Sequence, residues 1–136
     1  MGLQVLVVDD DKIFNLMADV LLRELGIASH PHCFTDARDA LAYIDQHKVS
    51  ETTYLIFLDI NMPTMSGWEM LARLEALPNY RHIHVVIVTS SIDSTDQKTA
   101  NRFGQIIDYM IKPLNRVKLA ALKHHQKIKS FFPTGS

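Results

Sequence analysis

The chain has 136 residues, 47% hydrophobic and 21% charged, with 14 Lys and Arg against 15 Asp and Glu for a net charge of -1. That suits one domain with a sizeable core. It excludes a membrane span, since no apolar run nears the roughly 18–20 residues required, and it excludes an internal disulfide, since Cys33 is the only cysteine. The N-terminus has no charged segment leading into a long apolar one, so no signal peptide is read. Leu6 stands where a myristoylation signal wants Ser or Thr, and the cytoplasm is the expected compartment.

Val5-Leu6-Val7-Val8 opens the chain as an apolar run without polar alternation, ending at Asp9. Strands buried on both faces read this way, and they belong to parallel sheets covered by helices. Over residues 12–25, Ile13, Leu16, Met17, Val20, Leu21 and Leu25 recur at helical spacing, and Gly26 supplies the stop. Residues 27–34 are a weaker strand whose Pro31 suggests an edge or irregular position. Thr35 can cap a second helix with a stripe of Ala37, Ala40, Leu41 and Ile44. The polar stretch 47–53 leads into Leu55-Ile56-Phe57-Leu58, which ends at Asp59.

Ser66-Gly67-Trp68-Glu69 has capping-box spacing ahead of Leu71, Leu74 and Leu77, and Pro78 ends that helix. Val85-Val86-Ile87-Val88 follows and ends at Thr89. Ser94 to Gln97 offers another box leading to Ala100, Phe103 and a stop at Gly104. Residues 106–111 are a fifth strand. A last helix over 115–129 is expected to carry Val117, Ala121 and Ile128 inward, and 131–136 reads as a loose tail after a single domain of residues 1–130. Strand and helix thus alternate five times, which predicts a doubly wound α/β three-layer sandwich on a five-stranded parallel sheet.

In such sheets ligands bind beyond the carboxyl ends of the strands. Asp9, Asp10 and Asp11 end the first strand, Asp59 the third and Thr89 the fourth, and Lys112-Pro113 follows the fifth. Clustered carboxylates raise one another's pKa unless a cation sits among them. A hard ion such as Mg²⁺, which takes one or two carboxylates, keeps waters and accepts phosphate oxygens, is the natural solution. Such a site suits phosphoryl chemistry.

Val-Val-Asp9-Asp10-Asp11, Asp59-Ile60-Asn61-Met62-Pro63 with Ser66-Gly67, Thr89-Ser90, and Tyr109-Met110-Ile111-Lys112-Pro113 resemble the receiver domains of two-component response regulators. The resemblance covers residues 3–129, and the 30 residues from Asp59 to Thr89 fit it. It implies the chemotaxis-type, flavodoxin-like fold and a phosphoryl group accepted on Asp59 from a histidine kinase or histidine phosphotransfer domain. It further implies Mg²⁺ (or Mn²⁺) held by Asp10, Asp59 and the Asn61 carbonyl, with Asp9 acting through water. Lys112 and Thr89 would contact the phosphoryl oxygens. Thr89 and Tyr109 would form a switch that alters the surface of the last helices for a protein target. Asn61 and Ser91 would set the dephosphorylation rate, and Pro113 would follow a cis bond.

Plainer readings accompany these. Asp11 reads as a helix cap, the hydroxyls as strand ends, Tyr109 as a static aromatic, and all seven histidines as structural or surface residues without metal-ligand spacing. No acid follows Asp108, while six basic residues stand from Lys112 onward: either a solvated face or a docking surface for an acidic partner. Nothing resembles a nucleic-acid motif, so DNA is not an expected partner.

A haloacid-dehalogenase-type phosphatase shares an Asp-x-Asp start but needs a late acidic pair, which is absent after Lys112. A pseudo-receiver would lack the acids, the acceptor or the lysine, all of which are present. A stand-alone regulator fits the chain as given; a receiver belonging to a longer regulator is the other form.

Overall fold

The computed structural model describes residues 2–46, 51–90 and 93–133. Five strands, β1 (Leu3–Val8), β2 (His32–Phe34), β3 (Thr53–Leu58), β4 (Ile83–Thr89) and β5 (Ile106–Ile111), form one parallel sheet in the order β2-β1-β3-β4-β5. Five helices intervene: α1 (Lys12–Glu24), α2 (Ala37–Gln46), α3 (Gly67–Glu75), α4 (Ser94–Ala100) and α5 (Arg116–Leu122). Single 3-10 turns occupy Tyr80–His82 and Lys129–Phe131. Among the described residues no helix is long and apolar enough to cross a membrane.

The unbroken apolar runs make the central strands, as expected of chain covered on both sides. Every residue of β3 and β4 is buried. Period-two alternation sorts them into two cores. Leu6, Val8, Tyr54, Ile56, Leu58, Val85 and Ile87 face Ala37, Ala40 and Ile44 of α2 and Met70, Leu71 and Leu74 of α3. Val5, Val7, Leu55, Phe57, Val86 and Val88 face Ala18 and Leu22 of α1 and Leu119 and Leu122 of α5. Each such aliphatic side chain contributes about 1.5–3 kcal/mol on burial.

Several local expectations are corrected. The apolar stripe of α1 does form a helix, but only its last part turns inward: Leu21 and Leu25 pack against the second core, while Ile13, Leu16, Met17 and Val20 are 72%, 65%, 54% and 46% exposed. Asn15, Ala18 and Leu22 lie beneath instead. Asn15 Nδ2 donates to the carbonyls of Asp9 (2.9 Å) and Phe34 (3.4 Å), which rotates its own face onto the strand ends, and Ala18 is small enough to permit the approach. Second, α2 is capped by Asp36 rather than Thr35, since Arg38 N donates to Asp36 Oδ1 at 2.9 Å. Third, α4 is capped by Asp93, which accepts from Asp96 N, rather than by Ser94.

Fourth, α5 stops at Leu122 instead of running to residue 129. Val117 is 77% exposed and Ala121 is exposed as well. Two anchors turn the chain back after α5. Lys123 Nζ donates to the carbonyl of Leu25 at 2.8 Å, and Ile128 inserts into the second core. Phe131 and Phe132, in the segment read as a loose tail, pack against that core. β2 is shorter than the expected 27–34 and lies at the sheet edge, where the donor missing from Pro31 does no harm.

His84, on β4, is only 8% exposed. Burial first, then the nearby charges of Lys127, His125 and His82, pull its pKa from 6.5 down to about 4. The unfolded chain binds this proton below about pH 6.5, and the folded chain resists it until about pH 4. The contribution is therefore intact above pH 6.5 and lost as pH falls toward 4, by roughly 2–3 kcal/mol. Urea midpoints at pH 7.5 and 5.0 should show this drop in the natural chain and a smaller one in His84→Asn. An equal drop in both would assign the acid sensitivity to other groups.

Candidate functional site

The site lies where β1, β3, β4 and β5 end. Asp9 and Asp59 are 1% and 6% exposed, and Thr89 is 1% exposed. Backbone bonds lock the two acidic strand ends into the sheet: Asp9 N donates to the Phe34 carbonyl and Asp59 N to the Val8 carbonyl, both at 3.0 Å. Each carboxylate then folds over its own loop. Asp9 Oδ1 accepts from Asp11 N and Asp59 Oδ1 from Asn61 N, both at 2.9 Å. Asp11 is the N-cap of α1, accepting from Ile13 N and Phe14 N, as its sequence position suggests.

Lys112 reaches back from the end of β5. Its ammonium is 2.6 Å from Asp9 Oδ2 and 3.5 Å from Asp59 Oδ2. Its own N–H donates to the Thr89 carbonyl at 2.8 Å, which couples the β4 and β5 ends. The following peptide bond, Lys112–Pro113, is cis. Asn61 Nδ2 donates to Thr89 Oγ1 at 3.4 Å. Asp10 is exposed at the rim, and among the described residues Asp9, Asp10 and Asp59 form the one acidic group whose ligand oxygens all lie within 4.8 Å of one another.

The electrostatics follow from crowding. Burial pushes the Asp59 carboxyl above the ordinary aspartate range; Asp9 adds to the push, while the Asn61 N–H and Lys112 oppose it. For Lys112, burial acts to lower the pKa, but the hydrogen bond to Asp9 and the attraction of Asp59 prevail and raise it. A fixed ammonium thus faces carboxylates that are still too many for it. Hard, all-oxygen donors with surplus negative charge fit a divalent cation.

The structure therefore brings together Asp9, Asp10, Asp59, Asn61, Thr89 and Lys112. Tyr109 stands apart on β5, half-buried against the first core, on the same sheet face as its neighbour Ile87. Ser91 lies outside the described residues, as do residues 47–50 of the polar stretch before β3. Among the described residues, no histidine enters the site.

Two residues escaped the sequence reading. Phe14 places its ring centroid 4.5 Å from the Lys112 ammonium. Asn15, 5% exposed, ties α1 to the β1 and β2 ends. Asn15 carried a signal, a short polar amide inside an apolar helical pattern; Phe14 carried none. A groove of about 320 Å³ also opens beside the site, lined by Phe14, Met17, Leu21, Lys112, Pro113 and Leu114.

Residues 5–123 match the family model described as the response regulator receiver domain. The chain is 31% identical to protein PilG of Pseudomonas aeruginosa over 134 residues, covering 97% of this chain and 92% of PilG. It is 30% identical to the cyclic di-GMP phosphodiesterase response regulator RpfG of Xanthomonas campestris over 89% of its length, but spans only 31% of that protein. The crystal structure of a two-component response regulator from Cytophaga hutchinsonii superposes with a TM-score of 0.81 at 25% identity, covering 90% of this chain and 95% of that one.

Proposed function

Because this chain belongs to the response-regulator receiver family, we propose that it accepts a phosphoryl group on Asp59 and converts that event into a change of binding surface. One observation carries the reading: the Asp59 carboxylate, the Lys112 ammonium and the Thr89 hydroxyl converge at one sheet edge beside two further acids. Phosphoryl transfer needs positioning and charge neutralisation more than covalent assistance. An Asp59 oxygen attacks phosphorus, the P–N bond of a phosphohistidine breaks, and its electron pair returns to the imidazole, leaving an acyl phosphate. Lys112 is placed to pair with the added oxygens as a point charge. Thr89 is placed to hydrogen-bond them.

Asp10, Asp59 and the Asn61 carbonyl would hold Mg²⁺ (or Mn²⁺), with Asp9 acting through water. The ion would neutralise charge on the transferring group. Asn61 and Ser91 would tune how fast water removes the phosphoryl group. Thr89, drawn toward it, would release the side from which Asn61 now donates, and Tyr109 would move inward. A receiver unit of residues 1–130 acting in the cytoplasm completes the proposal.

The phosphodonor is proposed to be a sensor histidine kinase or a histidine phosphotransfer domain. Ile13, Leu16, Met17 and Val20 lie at i, i+3, i+4 and i+7 on solvent-exposed α1, and Met17 also lines the apolar groove beside Lys112. Such a stripe fits an apolar helix face of a partner. The double variant Leu16→Glu/Met17→Glu should keep stability within about 0.5 kcal/mol, because both positions face water. It should slow phosphotransfer from a phosphorylated histidine phosphotransfer domain more than tenfold relative to the rate with acetyl phosphate. Equal slowing with both donors would remove α1 from the docking proposal. The exposed cations Arg116, Lys118, Lys127 and Lys129 suit an acidic downstream protein.

The test of the function is a titration with BeF₃⁻ and Mg²⁺ followed by amide NMR. Mg²⁺-dependent shifts at Asp59, Thr89, Lys112 and Tyr109 are expected. A folded protein with no response would favour a binding module that is never phosphorylated.

A further inference from the structure

We infer that Phe14 is a positioning residue for Lys112, its ring keeping the ammonium at the mouth of the carboxylate cluster when the carboxylates are engaged elsewhere. The inference rests on the phosphoacceptor reading and adds a residue to it.

Lys112 has a flexible four-carbon stem, and immobilising such a side chain costs conformational entropy. Its charged anchors are Asp9 and Asp59, at 2.6 and 3.5 Å. These same carboxylates belong to the group suited to a divalent cation. An ion held directly by Asp59 and through water by Asp9 would compete for the charge of both carboxylates, weaken their hold on the ammonium and repel it. Held by carboxylates alone, Lys112 would swing to solvent at the moment a phosphoryl group requires it.

The Phe14 ring is an anchor that nothing competes for. Its centroid lies 4.5 Å from Nζ, inside the range where a ring face attracts a cation. A neutral hydrocarbon ring is no ligand for Mg²⁺ and accepts no proton. The ring is also fixed beforehand. Phe14 sits in the first turn of α1, its N–H donates to the capping Asp11 at 3.3 Å, and its side chain packs against the second core. Its neighbour Asn15 pins that turn to the Asp9 and Phe34 carbonyls. The sheet edge and α1 thus bring a quadrupole to a lysine 98 residues away in sequence.

Packing alone would also explain a partly buried phenyl ring, but it makes a different prediction. A packing role depends on volume; an electrostatic role depends on the electron density of the ring face. The experiment installs a graded series of fluorinated phenylalanines at position 14 of the full chain and includes Phe14→Leu. One readout is the rate of phosphorylation by acetyl phosphate with Mg²⁺. The other is the NMR position of the Lys112 ε-protons without metal or donor, which a ring at this distance moves upfield.

The rate should fall stepwise with fluorination, to roughly three- to tenfold slower for the pentafluoro ring, with Phe14→Leu at a similar level. The upfield shift should shrink along the same series. Rates constant within twofold across the series, or ordinary ε-proton positions in the natural protein, would overturn the inference while leaving the phosphoacceptor reading intact. A natural protein that takes no phosphoryl group at all would remove both.

Discussion

Asp59→Asn is expected to abolish phosphorylation by either a histidine donor or acetyl phosphate while raising thermal stability. The loss is complete because an amide has no oxygen nucleophile that can form an acyl phosphate, and neither Asp9 nor Asp10 can substitute. Asp9 is engaged by Lys112 at 2.6 Å and by Asp11 N at 2.9 Å, and Asp10 stands exposed at the rim of the site.

The stability gain follows from the site's electrostatics. Burial and then Asp9 raise the Asp59 pKa, against the opposition of Asn61 N–H and Lys112. A carboxyl with a raised folded pKa binds its proton more tightly in the folded chain than in the unfolded one. Stability is therefore lost as pH rises through the window between the two pKa values, and at pH 7 the folded state carries the penalty. Asn removes that penalty, keeps the acceptor for Asn61 N, and leaves Lys112 its closer partner Asp9. A gain of about 1 kcal/mol is the scale expected for relieving a poorly compensated buried charge. Phosphate incorporation with Mg²⁺ present and melting temperature with the ion omitted check the two halves. Residual incorporation would move the acceptor elsewhere; a lower melting temperature would mean that Lys112 needs both carboxylates.

Gly67→Ala should lower the melting temperature by about 10 °C and weaken BeF₃⁻ binding about tenfold. A Cβ at this position would lie 2.7 Å from Ile60 Cα and 2.8 Å from the Asp59 carbonyl oxygen. Both are backbone atoms, so no side chain can swing aside. Gly67 N also donates to the Ile60 carbonyl at 3.2 Å, which holds the start of α3 against the loop that follows Asp59. The methyl group must push α3 or the loop outward, and overpacking of this kind costs about 1–3 kcal/mol.

The same movement displaces Asp59, whose Oδ1 is held by Asn61 N in that loop. Gly104→Ala is the internal control: a Cβ there meets nothing within 4 Å, so its melting temperature should change by no more than about 2 °C. Equal melting temperatures for Gly67→Ala and the natural chain would show that the loop yields freely, and the close approach would then have no role in placing the acceptor.

Much of this protein was legible from its sequence. Three unbroken apolar runs specify strands covered on both faces, because any polar residue within them would be buried without a partner. Each run ends in a residue of the candidate site, so Asp9, Asp59 and Thr89 are assigned to one sheet edge by strand direction alone, and Lys112 joins them by following the fifth strand. The caps of α1 and α3 were equally local, since Asp11 and Ser66 bond N–H groups two or three residues away.

Tertiary structure decided what depends on contacts distant in sequence. Helical periodicity marks α1 but not which of its faces is buried, because the helix is apolar on more than one side; Asn15 and Ala18 settled that by meeting the strand ends. The length of α5 depended on Lys123 finding the Leu25 carbonyl and on Ile128 finding the second core, neither of which its own residues encode. Glycine at position 67 looks like part of a turn motif until Ile60 and Asp59 are seen packed against it. Phe14 looks like one more apolar residue until the sheet carries Lys112 to its ring. Local sequence determines strands, caps and the chemistry placed at strand ends. Rotation, termination and side-chain company are set by packing between segments, and those energies exist only once the segments have met.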